Sequence, residues 1–211
     1  MNWVGMPRFH STKELKTRTP GIWNNLPESI LVVCTANICR SPMAELLLQR
    51  EAEQRGVVAE VSSAGVFARH NMLAAAGSVT ALAAFGLDLS NHLSRPLADV
   101  DEQADLVLTM EAAHIPRAVD GQSGLFRRTF TLPEIVTRSR NVGPRGDLDL
   151  EQWIEALNEG RTAHGVLSSE DLDVADPYRG SSIGFTSCAT QLDKLCSQFA
   201  QSMWGSPPVM P

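Results

Sequence analysis

The sequence predicts an α/β fold, a three-layer α/β/α domain with a small central parallel sheet of about four strands and an anion-holding loop between the first strand and the first helix. Three observations predict it. Strand-like and helix-like segments alternate between residues 30 and 204, the pattern of strands joined by crossover helices. Ile30-Leu31-Val32-Val33 is a continuous apolar run rich in β-branched residues, as a strand covered on both faces requires. The segment that leaves this strand carries Cys, Asn and Arg, at the carboxyl end where parallel sheets hold their ligands.

The remaining elements follow in order. The first helix is expected from Pro42 to about Arg55, with Met43, Leu46, Leu47 and Arg50 at helical spacing and Gly56 as its stop. Val57 to Val61 reads as a second strand, and Ser78 to Phe85 as a small-residue helix stopped by Gly86. Asp105 to Met110 reads as a third strand and RTFTL, around Phe130, as a short fourth. Asp149 is an N-cap with Gln152 placed for a capping box. Behind it Leu150, Trp153, Ile154 and Leu157 form one apolar stripe, so a helix should run to near Gly160. The last helix spans about Ser182 to Met203. On it Cys188 and Cys196 share a face with Phe185, Leu192, Leu195 and Phe199, which reads as core. Residues 1–29 carry Pro7, Pro20, Gly21 and Pro27 without apolar periodicity. They read as a poorly ordered extension, with Trp23 a candidate to dock on the body. Residues 30–204 form a single domain, and 205–211 a Pro-rich tail.

Composition narrows the function. At 211 residues, 43% apolar and 20% charged, the chain fits one soluble domain with a sizeable core. The net charge of −6 comes without a basic stripe, which argues against nucleic acid. No apolar run approaches the ~20 residues that span a bilayer, and no signal peptide is readable, so no membrane insertion and a cytoplasmic address are expected. Four cysteines are too few and too scattered for a disulfide scaffold. Cys34 and Cys39 lack partners at zinc spacing. Neither a metal nor a cofactor is expected.

The chemistry concentrates in Cys34-Thr35-Ala36-Asn37-Ile38-Cys39-Arg40-Ser41-Pro42, a C-x5-R-S pattern. A strand ending at Cys34 and a helix beginning near Arg40 leave a loop whose backbone N–H groups can converge on one anion, and the helix N-terminus adds its unpaired donors. Arg40 can grip two phosphate oxygens in its planar fork. The same positive field makes a thiolate of Cys34 available as a nucleophile, and Ser41 is placed to donate its hydroxyl to that sulfur. The bland alternative is a core cysteine followed by a salt-bridging arginine. Phe67 reads equally as core or as crevice wall. Arg179 either meets a second anionic group or is an ordinary exposed arginine. His10, His70, His114 and His164 belong to no constellation and read as surface residues, and Asp171 and Asp173 as solvated loop carboxylates.

VVCTANICRSPMAE resembles the low-molecular-weight protein-tyrosine phosphatase family, whose motif is written V-C-x-G-N-x-C-R-S. The likeness continues through Ser63-Ala64-Gly65, LDLSNHLSRPL (87–97), ADLVLTMEAAH (104–114) and Asp176-Pro177-Tyr178. The resemblance implies a phosphocysteine mechanism with Cys34 as nucleophile, Arg40 as phosphate clamp and Asp176 as general acid and then base, standing apart from the clamp. It implies that residues 35–41 (Thr35, Ala36, Asn37, Ile38, Cys39, Arg40 and Ser41) cradle the phosphate and that Tyr178 walls the crevice. Asn37, Ser41, Ser63 and His92 would hold the loop in a strained shape, and Cys39 would pair reversibly with Cys34 under oxidation. The implied partner is a tyrosine-phosphorylated protein, a bacterial tyrosine kinase among them. Three features depart from the pattern, one of them the N-terminal extension, which has no counterpart in the family. Ala36 stands where glycine is usual, which is acceptable only at negative φ, and residues 66–76 do not match the usual rim loop. Two other functions fit less of the chain. A thiol-dependent arsenate reductase would need further cysteines ahead of Asp176, and an idle phosphoprotein-binding module would need neither thiolate nor acid.

Overall fold

Ser29 and Glu28 extend the apolar run backwards, so that β1 spans Glu28–Cys34 in the computed structural model, which describes residues 27–100, 104–120 and 123–208. The expectations for residues 1–26, Trp23 included, and for 209–211 lie outside the described residues. β1 pairs in parallel with β2 (Ala59–Gly65), setting Cys34 beside Gly65, and on its other side with β3 (Leu106–Thr109). β4 (Thr129–Thr131) lies beyond β3, giving the order β2-β1-β3-β4. The central position of β1 explains its unbroken apolar run: Val32 and Val33 are both fully buried.

The second strand sits two to four residues later than its valines suggested. Val58 is 79% exposed, and the strand continues instead through Ser62, Ser63, Ala64 and Gly65. Pairing with β1 sets its length. Its small residues lie beneath the loop that follows β1, a tertiary demand that β-propensity does not carry.

Among the described residues there are seven α-helices: α1 (Arg40–Arg55), α2 (Ala76–Ala83), α3 (Ile115–Ala118), α4 (Leu132–Val142), α5 (Leu150–Leu157), α6 (Ala163–Leu167) and α7 (Ser182–Trp204). α1 ends as expected at Gly56, whose φ of 65° closes a left-handed cap. α5 has the expected capping box between Asp149 and Gln152, though it stops at Leu157. α4 was not anticipated, yet its start is written in the sequence. Thr131 Oγ1 accepts the Glu134 N–H at 3.1 Å and Pro133 sits in the first turn.

The sheet's two faces are covered unequally. On one, Ile30, Val32, Leu106, Leu108 and Phe130 pack with α1, α4, α5 and α7 through Leu47, Ile135, Trp153, Cys196 and Phe199. The other carries only Leu31, Val33, Ala64, Ala104 and Val107 under Leu97, Val100 and Ala118. Beside β4, the buried Arg161 bonds Glu134 at 2.7 Å. Its guanidinium lies between Phe126 and Phe130, 4.1 and 4.2 Å from their ring centres. No described helix is long and apolar enough to cross a membrane.

Candidate active site

Cys34 is the last residue of β1 and Arg40 the first of α1, so five residues turn the chain through the cradle. The carbonyls of Cys34, Thr35 and Ile38 accept the N–H groups of Val66, Phe67 and Ala75 at 2.9, 2.8 and 2.8 Å. The carbonyl of Asn37 meets His92 Nε2 at 2.8 Å, so that nitrogen carries the proton. In a planar peptide the N–H points opposite its carbonyl. Anchoring these carbonyls outward therefore turns the loop's amides inward, as an anion nest requires.

Cys34, 3% exposed, lies at the floor. Its Sγ is 3.0 Å from Ser41 Oγ and receives the Asn37 N–H at 3.3 Å. Asn37 is fully buried at a φ of 54°, a conformation asparagine tolerates better than most residues. Its Nδ2 donates to Ser41 Oγ (2.9 Å) and Ser63 Oγ (2.8 Å), and its Oδ1 accepts the Arg95 N–H (2.9 Å). Ser63 Oγ in turn donates a hydrogen bond to Glu45 Oε2 at 2.5 Å. The positive φ thus falls on Asn37, while Ala36 is not among the residues with positive φ, and its methyl group is accommodated. The glycine this loop depends on is Gly65, where a Cβ would stand 2.8 Å from Asn37 N and 2.9 Å from Ala36 C.

Arg40 is 1% exposed. Its Nη1 donates to the Glu111 carboxylate and to the Val174 carbonyl (2.8 Å). Its Nη2 donates to Asp176 Oδ2 (2.7 Å) and to Thr35 Oγ1 (3.2 Å). Burial works to lower the guanidinium pKa, but the Glu111 hydrogen bond and the Asp176 and Glu111 charges outweigh it, and the net shift is upward. This corrects the expectation that Asp176 stands apart from the clamp: the carboxylate is bonded to it. Asp176 Oδ1 also accepts the Tyr178 N–H at 3.0 Å, fixing the turn that follows it.

Two residues here escaped the sequence reading. Glu111 follows β3, and His114 lies three residues on. His114 is no surface residue: it is 4% exposed, and its Nε2 lies 2.9 Å from Thr35 Oγ1. Its Nδ1 is buried without a partner. Burial lowers its pKa, with Glu111 opposing. The signal was available, since both lie at the carboxyl end of a parallel strand. All four cysteines are free and buried. Burial pushes the Cys39 thiol up to about 11 and Cys188 up to about 12. Cys188 and Cys196 lie in the core on α7, as expected.

Phe67, 62% exposed, and Tyr178, 52% exposed, both stand out from the core, which excludes the reading of Phe67 as core. Asp173 accepts the Ala112 N–H at 2.7 Å and so braces the turn after β3 rather than lying free.

The family model for low molecular weight phosphotyrosine protein phosphatase matches residues 29–142. A protein-arginine-phosphatase of Bacillus subtilis is 36% identical over 176 residues, covering 82% of this chain and 95% of the relative. The low molecular weight protein-tyrosine-phosphatase Etp of Escherichia coli is 31% identical, covering 83% and 94%. The solved structure of the low molecular weight protein tyrosine phosphatase from T. tengcongensis superposes with a TM-score of 0.63 at 28% identity, covering 83% of this chain and 99% of that one. The matched region begins one residue after the start of β1 and takes in the cradle, the Ser63–Gly65 support and the Glu111–His114 turn, so this chain belongs to the low molecular weight protein-tyrosine phosphatase family.

Proposed function

We propose that the protein hydrolyses phosphotyrosine in proteins through a phosphocysteine intermediate. One observation carries the reading: a thiol, its hydroxyl partner Ser41 and a buried guanidinium share one loop, and a carboxylate from 136 residues away bonds the same guanidinium. The Cys34 thiolate attacks phosphorus and the bond to the tyrosyl oxygen breaks, while Asp176 in its carboxyl form gives the leaving oxygen its proton. The resulting Asp176 carboxylate then takes a proton from water, whose oxygen attacks phosphorus. The S–P bond breaks, and phosphate leaves a thiolate that the Ser41 hydroxyl steadies. Arg40 and the inward amides bear the phosphoryl charge in both steps.

Two exposed aromatic side chains, Phe67 and Tyr178, support an aryl phosphate, whose flat ring they can flank. A second reading, phosphoarginine hydrolysis, is supported by the Bacillus relative's name. The mouth weighs against it, because Arg117 and Arg179 stand over Phe67 and Tyr178 and would repel a cationic leaving group. Arsenate reduction finds no support, since the further thiols Cys188 and Cys196 are core residues. The partner this reading implies is a tyrosine-phosphorylated cytoplasmic protein, with a bacterial tyrosine kinase the case to test.

The test is turnover, with EDTA present, of p-nitrophenyl phosphate and of matched phosphotyrosine and phosphoarginine peptides. Phosphotyrosine should be preferred. Cys34→Ser should keep oxyanion binding and lose nearly all turnover. Arg40→Lys should fail as badly, because the two-pronged grip is lost. Near-normal turnover in either variant, or preference for phosphoarginine, overturns the proposal.

A further inference from the structure

We infer that Arg179 and Arg117 make the mouth of the site selective for acidic residues flanking the phosphotyrosine. The inference rests on the phosphotyrosine reading above and deepens it. Each arginine stands against an exposed aromatic wall. The Arg117 guanidinium carbon lies 5.0 Å from the Phe67 ring centre, and that of Arg179 lies 5.6 Å from the Tyr178 ring centre. Both walls are tied to the chemistry through their backbones. The Phe67 N–H bonds the Thr35 carbonyl at 2.8 Å, and the Tyr178 N–H bonds the Asp176 carboxylate at 3.0 Å. Two cations therefore sit on exposed rings whose backbones are tied to the loop and to Asp176.

The charges around them are unequally engaged. Asp176 is bonded to Arg40, Asp173 to the Ala112 amide and Asp99 to His70. Neither Arg117 nor Arg179 makes an ion pair with any described residue. Those three carboxylates are occupied, while neither guanidinium group is paired with a described carboxylate, which suits an acidic peptide.

Arg179 is also held where an arginine does not belong. Its φ is 63°, a left-handed backbone that glycine adopts freely and other L residues resist. The turn that imposes this is closed by the Gly180 N–H on the Pro177 carbonyl at 2.9 Å. Strain of this kind persists where the residue has work to do, and the work an exposed, unpaired guanidinium beside the general acid can do is to meet an anion.

Kinetics on three phosphotyrosine peptides, alike except for Glu, Ala or Lys on both sides of the phosphotyrosine, test this at low and high salt. The wild-type protein should prefer Glu over Ala by about fivefold in kcat/KM at low salt, as exposed charge pairs allow. The preference should shrink toward one in ~0.5 M salt. Arg179→Gly should lose most of it while keeping p-nitrophenyl phosphate turnover, and with the strained φ relieved its Tm should equal or exceed that of wild type. Arg117→Ala should lose the rest, and Arg179→Glu should turn the preference toward Lys. Hydrolysis of all three peptides at equal rates overturns this inference alone. Failure to hydrolyse any of them, with p-nitrophenyl phosphate still turned over, overturns the phosphotyrosine reading and this one with it.

Discussion

At the scale of the residue, Asp176 is asked to do two things. In the proposed mechanism it gives a proton to the leaving oxygen, and in the structure its Oδ2 helps hold Arg40. The two separate by substitution. Asp176→Ala should slow tyrosine phosphate by about 10²–10⁴ and p-nitrophenyl phosphate much less, because that leaving group departs without help. It should also raise KM, since Arg40 loses an anchor and keeps only Glu111, Val174 and Thr35. Asp176→Asn can still accept from Arg40 but cannot supply the proton, so kcat should fall alike with KM preserved. The check is the dependence of rate on leaving-group pKa, which should steepen in both variants and in neither Asp171→Ala nor Asp173→Ala. His114 makes a second prediction. Burial holds its pKa below the ordinary 6.5, so as pH falls through about 6.5 the unfolded chain binds a proton that the folded one refuses. Stability present at pH 7 and above should then be lost toward acid, at up to about 1.4 kcal/mol per pH unit. Glu111, Asp173 and Asp176 pull its pKa upward and Arg40 downward, and the depression prevails. Thermal unfolding from pH 8 to pH 5 should fall less steeply in His114→Gln than in wild type. Equal slopes would remove His114 from the account.

At the scale of the element, one chemical change should have opposite effects at two glycines. At Gly65 an added methyl group meets the backbone of Asn37 and Ala36 at 2.8 and 2.9 Å, and neither can retreat without deforming the phosphate loop. Gly65→Ala should cost about 1–3 kcal/mol and more activity than that loss of stability explains. At Gly184, in the first turn of α7, nothing lies within 4 Å. There Gly→Ala should stabilise by about 0.5–1 kcal/mol and leave kcat unchanged. Denaturant midpoints and p-nitrophenyl phosphate turnover for the two variants decide it. Elements with a local cause were legible: β1 through its apolar run, α1 through Gly56, α5 through its capping box. α4 is announced by Thr131, Pro133 and Glu134, but the strand-like run RTFTL overlaps its start and masks the signal. The limits of β2 were not legible, since its pairing with β1, rather than its valines, sets them.

At the scale of the whole molecule, the cradle was readable because Cys34 to Ser41 is contiguous and sits where an α/β sheet binds ligands. Glu111 and His114 were missed because their roles exist only across a distance. A glutamate and a histidine after a strand say nothing until β3 lies beside β1. The same topology has a consequence in time. Every pair of neighbouring described strands is parallel, so none of these pairings forms from a hairpin, and each waits for a crossover. Cys34 is made early, but Asp176 follows roughly 140 residues later, which at ~5–20 residues per second is ~7–30 s of synthesis. α7, which covers α1 and β1, comes later still. A growing chain on the ribosome should thus carry a bare Cys34 thiol and no phosphatase activity until nearly its full length has emerged. The full chain diluted from denaturant should regain helix signal early and turnover only in its last kinetic phase. Activity returning together with the first helix signal would mean that the cradle assembles without Glu111 and Asp176.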